Sequence, residues 1–253
     1  MLVPMTVLYE VDGGIAFISF NRPEKHNALR DEDLRSLVET LARLDQDPTA
    51  SIGILYGQGR SFSSGGDVDA RLQASMDAGS TAERTNEAEA FFDCKHWKPV
   101  IAAVHGYCLG HALGTALACD LLVADRSARF QVTEILVGLP MPSLVPRLGN
   151  PAFANEVAMT GRMFGAEEAW GAGMLTRLVD EGAHVREAEA LARLILENPQ
   201  PAVREHVRVR RRLLRDAAAP AQALTAAFLG GWATNADARE AVAARASRKR
   251  SKR

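Results

Sequence analysis

The sequence predicts an α/β core followed by a helical C-terminal region, and three observations predict it. Continuously apolar runs of four or five residues recur at 52–56, 100–104 and 121–124, the pattern of strands covered on both faces of a sheet. Amphipathic helical spacing alternates with these runs, as at Leu34, Leu37, Val38, Leu41 and Leu44. From about residue 151 onward helical spacing dominates. Strand–helix alternation that gives way to helices argues for this class.

The elements follow in order. Val7–Val11 and Ile15–Phe20, separated by Asp12-Gly13-Gly14, predict a β-hairpin. Pro23 ends the second strand, and Lys25–Ala28 forms a loop ahead of a helix starting near Asp31. That helix carries its leucines at i, i+3, i+4 and i+7, a stripe that faces a sheet. Ile52–Tyr56 is the next strand. A polar, alanine-rich stretch runs to Thr85, with a break at 77–80, and a helix over 87–96 presents Phe91 and Phe92. Strand 100–104, a helix near 111–119 and strand 121–124 make a βαβ unit. Glu134 falls at a strand end or turn, and Gly138–Pro142 is a break. Helices are expected at 151–160, 166–171, 184–197, 200–216 and 219–245, with one short strand at 176–179.

Bulk properties narrow the function classes. A chain of 253 residues that is 47% hydrophobic has a substantial core. Its formal charge of −1 gives no global electrostatic case for nucleic-acid or membrane-surface binding. There is no apolar run of membrane-spanning length and no basic-then-apolar leader, so membrane insertion is not expected and the cytoplasm is the expected location. Cys94, Cys108 and Cys119 show no CxxC pairing and support neither a disulfide framework nor a catalytic thiol. The histidines form no zinc pattern: His105 and His111 lie across a turn, so no metal is expected. The arginines at 208, 210, 211, 212 and 215 and the basic tail 245–253 read as a solvated face and a free end. A contact with the phosphates of a bound ligand is the sharper alternative for them.

Two stretches carry the functional signal. Gly59 to Val68 includes Ser64-Gly65-Gly66-Asp67 and follows one apolar run; His105 to Gly114 includes Leu109-Gly110-His111 and follows another. Each reads as strand, glycine-bearing turn, helix. Amides at a helix start attract negative charge, including charge that develops on an oxygen during a reaction. Two such units can place two N–H donors around one carbonyl oxygen. Alone, either stretch also fits a buried α/β crossover.

Together with Asn21-Arg22-Pro23-Glu24-Lys25-His26-Asn27-Ala28-Leu29, and in order and spacing over residues 5–245, these stretches resemble the enoyl-CoA hydratase/isomerase (crotonase) superfamily. The resemblance implies a crotonase-like spiral of ββα repeats over 1–195, then a C-terminal helical trimerisation region with a basic tail over 196–253. It implies an acyl-CoA thioester as substrate, no cofactor beyond its CoA moiety, and a homotrimer or a hexamer of two trimers. By position, the oxyanion donors are the N–H groups of Gly66 and His111, and the proton-transfer acid is Glu134. Lys25, His26, Ala28, Ser64, Gly65, Asp67, Val68, Leu109 and Gly110 fall on the segments that hold CoA and acyl chain. Lys25 faces a phosphate in this scheme or is an exposed loop lysine. Asp67 caps the helix that follows it, and Asp69 stands where some relatives carry lysine.

One departure is informative. Hydratases of the family carry one Glu at the position of Gly114 and a second at that of Glu134. Holding and activating water at C3 while protonating C2 is shared by those two carboxylates. A single carboxylate suffices to take a proton from C2 of a 3-enoyl thioester and return it at C4. Burial of Glu134 among Val132, Ile135 and Leu136 would raise its pKa and suit both steps. The expectation is therefore an isomerase converting 3-enoyl-CoA to 2-enoyl-CoA. Hydration, hydrolysis, decarboxylation and non-catalytic acyl-CoA binding stay open.

Overall fold

The computed structural model describes residues 6–67, 97–137, 146–232 and 240. Val68, the stretch to Thr85, helix 87–96 with Cys94, the break 138–142, the tail 245–253 and any helix that Asp67 caps lie outside them.

β1 (Val7–Asp12) and β2 (Ile15–Phe20) form the expected hairpin. α1 (Asp31–Gln46) leads to β3 (Ile52–Gly57), and β4 (Val100–Val104) is followed by β5 (Tyr107–Leu109). α2 (His111–Ala118), β6 (Leu121–Asp125) and β7 (Arg129–Gln131) come next. Then follow α3 (Pro151–Thr160), β8 (Phe164–Gly165), α4 (Ala166–Gly171), β9 (Arg177–Val179), α5 (His184–Leu196) and α6 (Gln200–Trp232).

The larger sheet has the order β1-β2-β3-β4-β6-β9, parallel from β2 onward. The smaller has the order β5-β7-β8. Isolated bridges Leu29↔Gly66 and Ser63↔Cys108 continue the smaller sheet toward the N-terminus. Each of β2, β3, β4 and β6 is thus followed by a short segment in the second layer: 27–29, 63–66, β5 and β7. One strand per sheet per turn, with the chain advancing in the same direction in both layers, is the spiral that the resemblance implies.

Alternation along the central strands fills two cores. Ile18, Phe20, Leu55, Ala102, Val104, Leu122 and Ala124 point to one face, where they share a core with Leu34, Leu37, Leu41 and Leu44 of α1 and Ala112, Leu113 and Ala116 of α2. Ile52, Ile54, Ile101, Ala103 and Val123 point to the other, under Ala188 and Ala192 of α5. The leucine stripe and the doubly covered strands stand as expected.

Three features differ from the sequence reading. β5 and β8 were not expected; two or three residues are too few for apolar periodicity to register. α6 is continuous through Pro220, where two helices were expected. Proline costs the helix one N–H donor, but Ala217-Ala218-Ala219 immediately before it are the strongest helix formers, and the chain stays helical. Finally, the arginines of α6 do not share one solvated face. Arg208 and Arg212 are exposed and pair with Glu205 and Asp216, whereas Arg210 and Arg211 turn inward onto Asp120. Burial works to raise the Asp120 pKa, yet Arg211 and Arg210 hold it below the usual carboxylate range. Asp120 also accepts from the Val100 N–H at 2.8 Å, so α6 is tied to the junction between α2 and β6.

Candidate active site

The smaller sheet positions the candidate groups. Ser63 and β5 are joined by Ser63 N to Tyr107 O at 2.8 Å and Leu109 N to Ser63 O at 3.2 Å. Leu109 is in register with Gln131 of β7, and the Gly110 N–H donates to Gln131 O at 2.8 Å. Two residues beyond Leu109 is His111; three beyond Gln131 is Glu134. The ladder brings the helix start and the carboxylate to the same end.

Gly66 reaches that end from the other side. Leu29 N donates to Gly65 O, and Asp67 N donates to Leu29 O, both at 2.8 Å. In a parallel bridge of this kind the middle residue, Gly66, directs its own N–H and C=O to the opposite edge. That edge faces Leu109–His111: a Cβ built on Gly65 would lie 2.4 Å from Leu109 O and 3.7 Å from His111 N. Gly65 has φ +87°, a conformation that suits glycine.

His111 is the first residue of α2, so its N–H belongs to the turn whose amides lack an acceptor within the helix. Gly110 ahead of it has φ +53°. A Cβ there would meet Thr133 Oγ1 at 2.1 Å and Glu134 Oε1 at 3.0 Å. The Glu134 carboxylate therefore lies against the turn that carries the His111 amide. It opens a single 3₁₀ turn, Glu134–Val137, its Oε2 is buried, and Gly161, whose carbonyl accepts from Gln131 Nε2 at 2.7 Å, packs against Ile135 and Leu136 of that turn. Gly114, buried in the next turn of α2, brings no carboxylate to this space.

The remaining candidate residues form one rim. Lys25 is exposed at the end of a 3₁₀ turn. His26 has its Nδ1 3.0 Å from Ser61 Oγ and its ring edge-on to Tyr107, with centroids 5.6 Å apart. The His26 carbonyl accepts from Ser64 N at 2.9 Å, and the Ala28 carbonyl accepts from Arg22 Nη1 at 2.7 Å. Asp67 pairs with Arg22 at 3.3 Å. The structure thus brings Lys25, His26, Ala28, Ser64, Gly65, Gly66, Asp67, Leu109, Gly110, His111 and Glu134 into one region.

Sequence reasoning placed Asn27 only within the CoA-holding loop 25–28 and gave no role to its side chain, which organises that rim. Its side chain is buried; Oδ1 accepts from Arg22 N at 2.8 Å, and Nδ2 donates to Gln58 O at 2.9 Å and Ser61 O at 2.8 Å. Its carbonyl accepts from Ser63 Oγ at 2.7 Å. Its φ of +54° is one that Asn tolerates better than most residues. The signal was present as Asn in a proline-bearing loop. Asn27→Ala would remove the side-chain partner of one buried and two part-buried main-chain groups, and urea denaturation is expected to show a loss of about 2–3 kcal/mol.

Cys108 and Cys119 are buried free thiols, and burial pushes the Cys108 pKa up, away from a reactive thiolate. Among the described residues no group of three His, Cys, Asp or Glu side chains is placed to hold a metal ion. No helix among them is long and apolar enough to cross a membrane.

Two spirally wound layers therefore bring Gly66, the start of α2 at His111 and the Glu134 carboxylate to one end of the smaller sheet. The family model for enoyl-CoA hydratase/isomerase matches residues 10–250, and the chain belongs to that family. It is 36% identical over 184 residues to (E)-benzylidenesuccinyl-CoA hydratase of Thauera aromatica, covering 71% of this chain and 72% of that protein. It is 33% identical over 202 residues to 1,2-epoxyphenylacetyl-CoA isomerase of Escherichia coli K12, covering 76% and 77%. The crystal structure of an enoyl-CoA hydratase/isomerase from Pseudoalteromonas atlantica T6c superposes with a TM-score of 0.83 at 25% identity, over 96% of this chain and 98% of that one.

Proposed function

We propose that this chain moves the double bond of a 3-enoyl-CoA thioester to the 2 position. The thioester oxygen accepts from the N–H groups of Gly66 and His111. Glu134, as carboxylate, takes a proton from C2; the electrons move into the dienolate held by the two amides; the carboxylic acid then returns the proton at C4. Each amide contributes on the order of 2.7–4 kcal/mol to the charged transition state. No group beyond the CoA of the substrate enters the scheme. The observation that carries this reading is the Glu134 carboxylate against the turn bearing the His111 amide, with glycine, not a second carboxylate, at position 114.

Lys25, His26, Ala28 and Ser64 hold the CoA moiety in this reading, largely through their main chain. The chain is further proposed to act in the cytoplasm as a homotrimer or a hexamer of two trimers. Leu213 and Leu224, 65% and 74% exposed on the 33-residue α6, support a covered C-terminal helix.

A second reading, hydration of a 2-enoyl-CoA, is favoured by the hydratase names of relatives such as that from Thauera aromatica. The two separate cleanly by experiment. Given a 3-enoyl-CoA, the protein is expected to produce the conjugated 2-enoyl-CoA, seen by its ultraviolet absorbance, faster than it forms any 3-hydroxyacyl-CoA from a 2-enoyl-CoA. Faster hydration would install the second reading, and tight binding without turnover would leave a binder.

A further inference from the structure

Arg22 touches both flanks of the bridge that presents Gly66. Its Nη1 donates to Ala28 O at 2.7 Å, and Nη1 and Nη2 each lie 3.3 Å from Asp67 Oδ2. Ala28 precedes Leu29, Asp67 follows Gly66, and Leu29 and Gly66 are the bridged pair. The guanidinium therefore ties together, from the side, two strands that the main chain joins by the two bonds at Leu29 and by Ser64 N to His26 O at 2.9 Å.

That tie has work to do. Gly65 and Gly66 have no side chains to limit rotation, and the peptide carrying the Gly66 N–H is held on the Leu29 side through its carbonyl, which accepts from Leu29 N at 2.8 Å. A charge-assisted contact on the next residue restrains it. Arg22 is itself fixed: its N–H donates to Asn27 Oδ1 at 2.8 Å, and its carbonyl accepts from Lys25 N at 3.0 Å and Asn27 N at 2.9 Å. Its side chain is 17% exposed, and Asp33 flanks the guanidinium at 3.4 Å. Asp33 in turn is held by Arg30, so the carboxylate of Asp67 meets a guanidinium that has one preferred place.

We propose that Arg22 is a positioning residue that holds the Gly66 N–H in line with the thioester oxygen, and through Ala28 couples that amide to the loop 25–28. The proposal rests on reading Gly66 as an oxyanion donor, and its test separates the two. The probe is a saturated acyl-CoA labelled with ¹³C at the thioester carbonyl. Difference infrared spectra of the bound carbonyl are recorded for the parent protein, Arg22→Met, Arg22→Lys and Asp67→Asn. The parent is expected to shift the stretch to lower frequency. Arg22→Met and Asp67→Asn are expected to lose at least half of that shift, with part regained in Arg22→Lys, and kcat falling about 10- to 100-fold, as misplacing a reacting group does.

A folded Arg22→Met or Asp67→Asn with the full parental shift would overturn the positioning role and leave the reading of Gly66 intact. A parent that leaves the carbonyl unshifted would overturn both. Asp67→Asn keeps the Arg22 bond to Ala28, so it decides the matter even where Arg22→Met fails to fold.

Discussion

Replacing Glu134 by Gln is expected to lower turnover of a 3-enoyl-CoA by about 10²- to 10⁴-fold, the range that a positioned acid–base group supplies. Gln has nearly the same shape and keeps an oxygen beside Gly110, where the Glu134 carboxylate now lies. The packing of the 3₁₀ turn on Gly161 is through Ile135 and Leu136, not Glu134, so the fold and affinity for CoA are expected to be retained. Steady-state kinetics and calorimetric titration with CoA measure the two separately. Parental rates in the variant would remove Glu134 from the reaction and point to another acid.

Gly65→Ala tests the other half of the site. The added methyl would sit 2.4 Å from Leu109 O and 3.3 Å from Leu109 C, at a φ of +87°. Both obstacles are main chain and cannot swing aside. Restoring an ordinary contact requires the segment around Gly65 and β5 to part by about 1 Å. That movement acts on the two amides proposed to share one oxygen, and a displacement of this size costs on the order of 100-fold in rate. We expect kcat/KM to fall by about that factor, with a stability loss of roughly 1–3 kcal/mol from the strained, overpacked site. Assays well below the melting temperature separate the two effects. Undiminished activity would mean that the apposition of Gly65 with Leu109 and His111 is irrelevant to chemistry.

Much of the larger sheet was legible in the sequence because its strands are apolar at nearly every position and α1 shows its leucine stripe. The second layer was not. β5 and β8 are three and two residues long, and what defines the layer is register: Leu109 opposite Gln131, Ser63 opposite Cys108, Leu29 opposite Gly66. Pairing of this kind is non-local and leaves no period in the chain. The same limit explains the site. Glycine turns suggested that two amides could share one oxygen, and the resemblance singled out Gly66, His111 and Glu134, but nothing local placed the carboxylate against Gly110. Arg22 and Asn27 lay within a recognised motif, yet their partners at 58, 61 and 67 become neighbours only when the spiral closes. Arg210 and Arg211 show the converse error: five arginines in eight residues look like a solvated face until Asp120, some 90 residues away in sequence, claims two of them.

A crystal structure with an unreactive acyl-CoA thioester bound measures the central geometry directly. The thioester oxygen is expected within about 2.7–3.1 Å of both the Gly66 and His111 nitrogens, with the Glu134 carboxylate facing C2 and C4 of the acyl chain. A thioester oxygen bound elsewhere, or Glu134 turned away from the acyl chain, would contradict it.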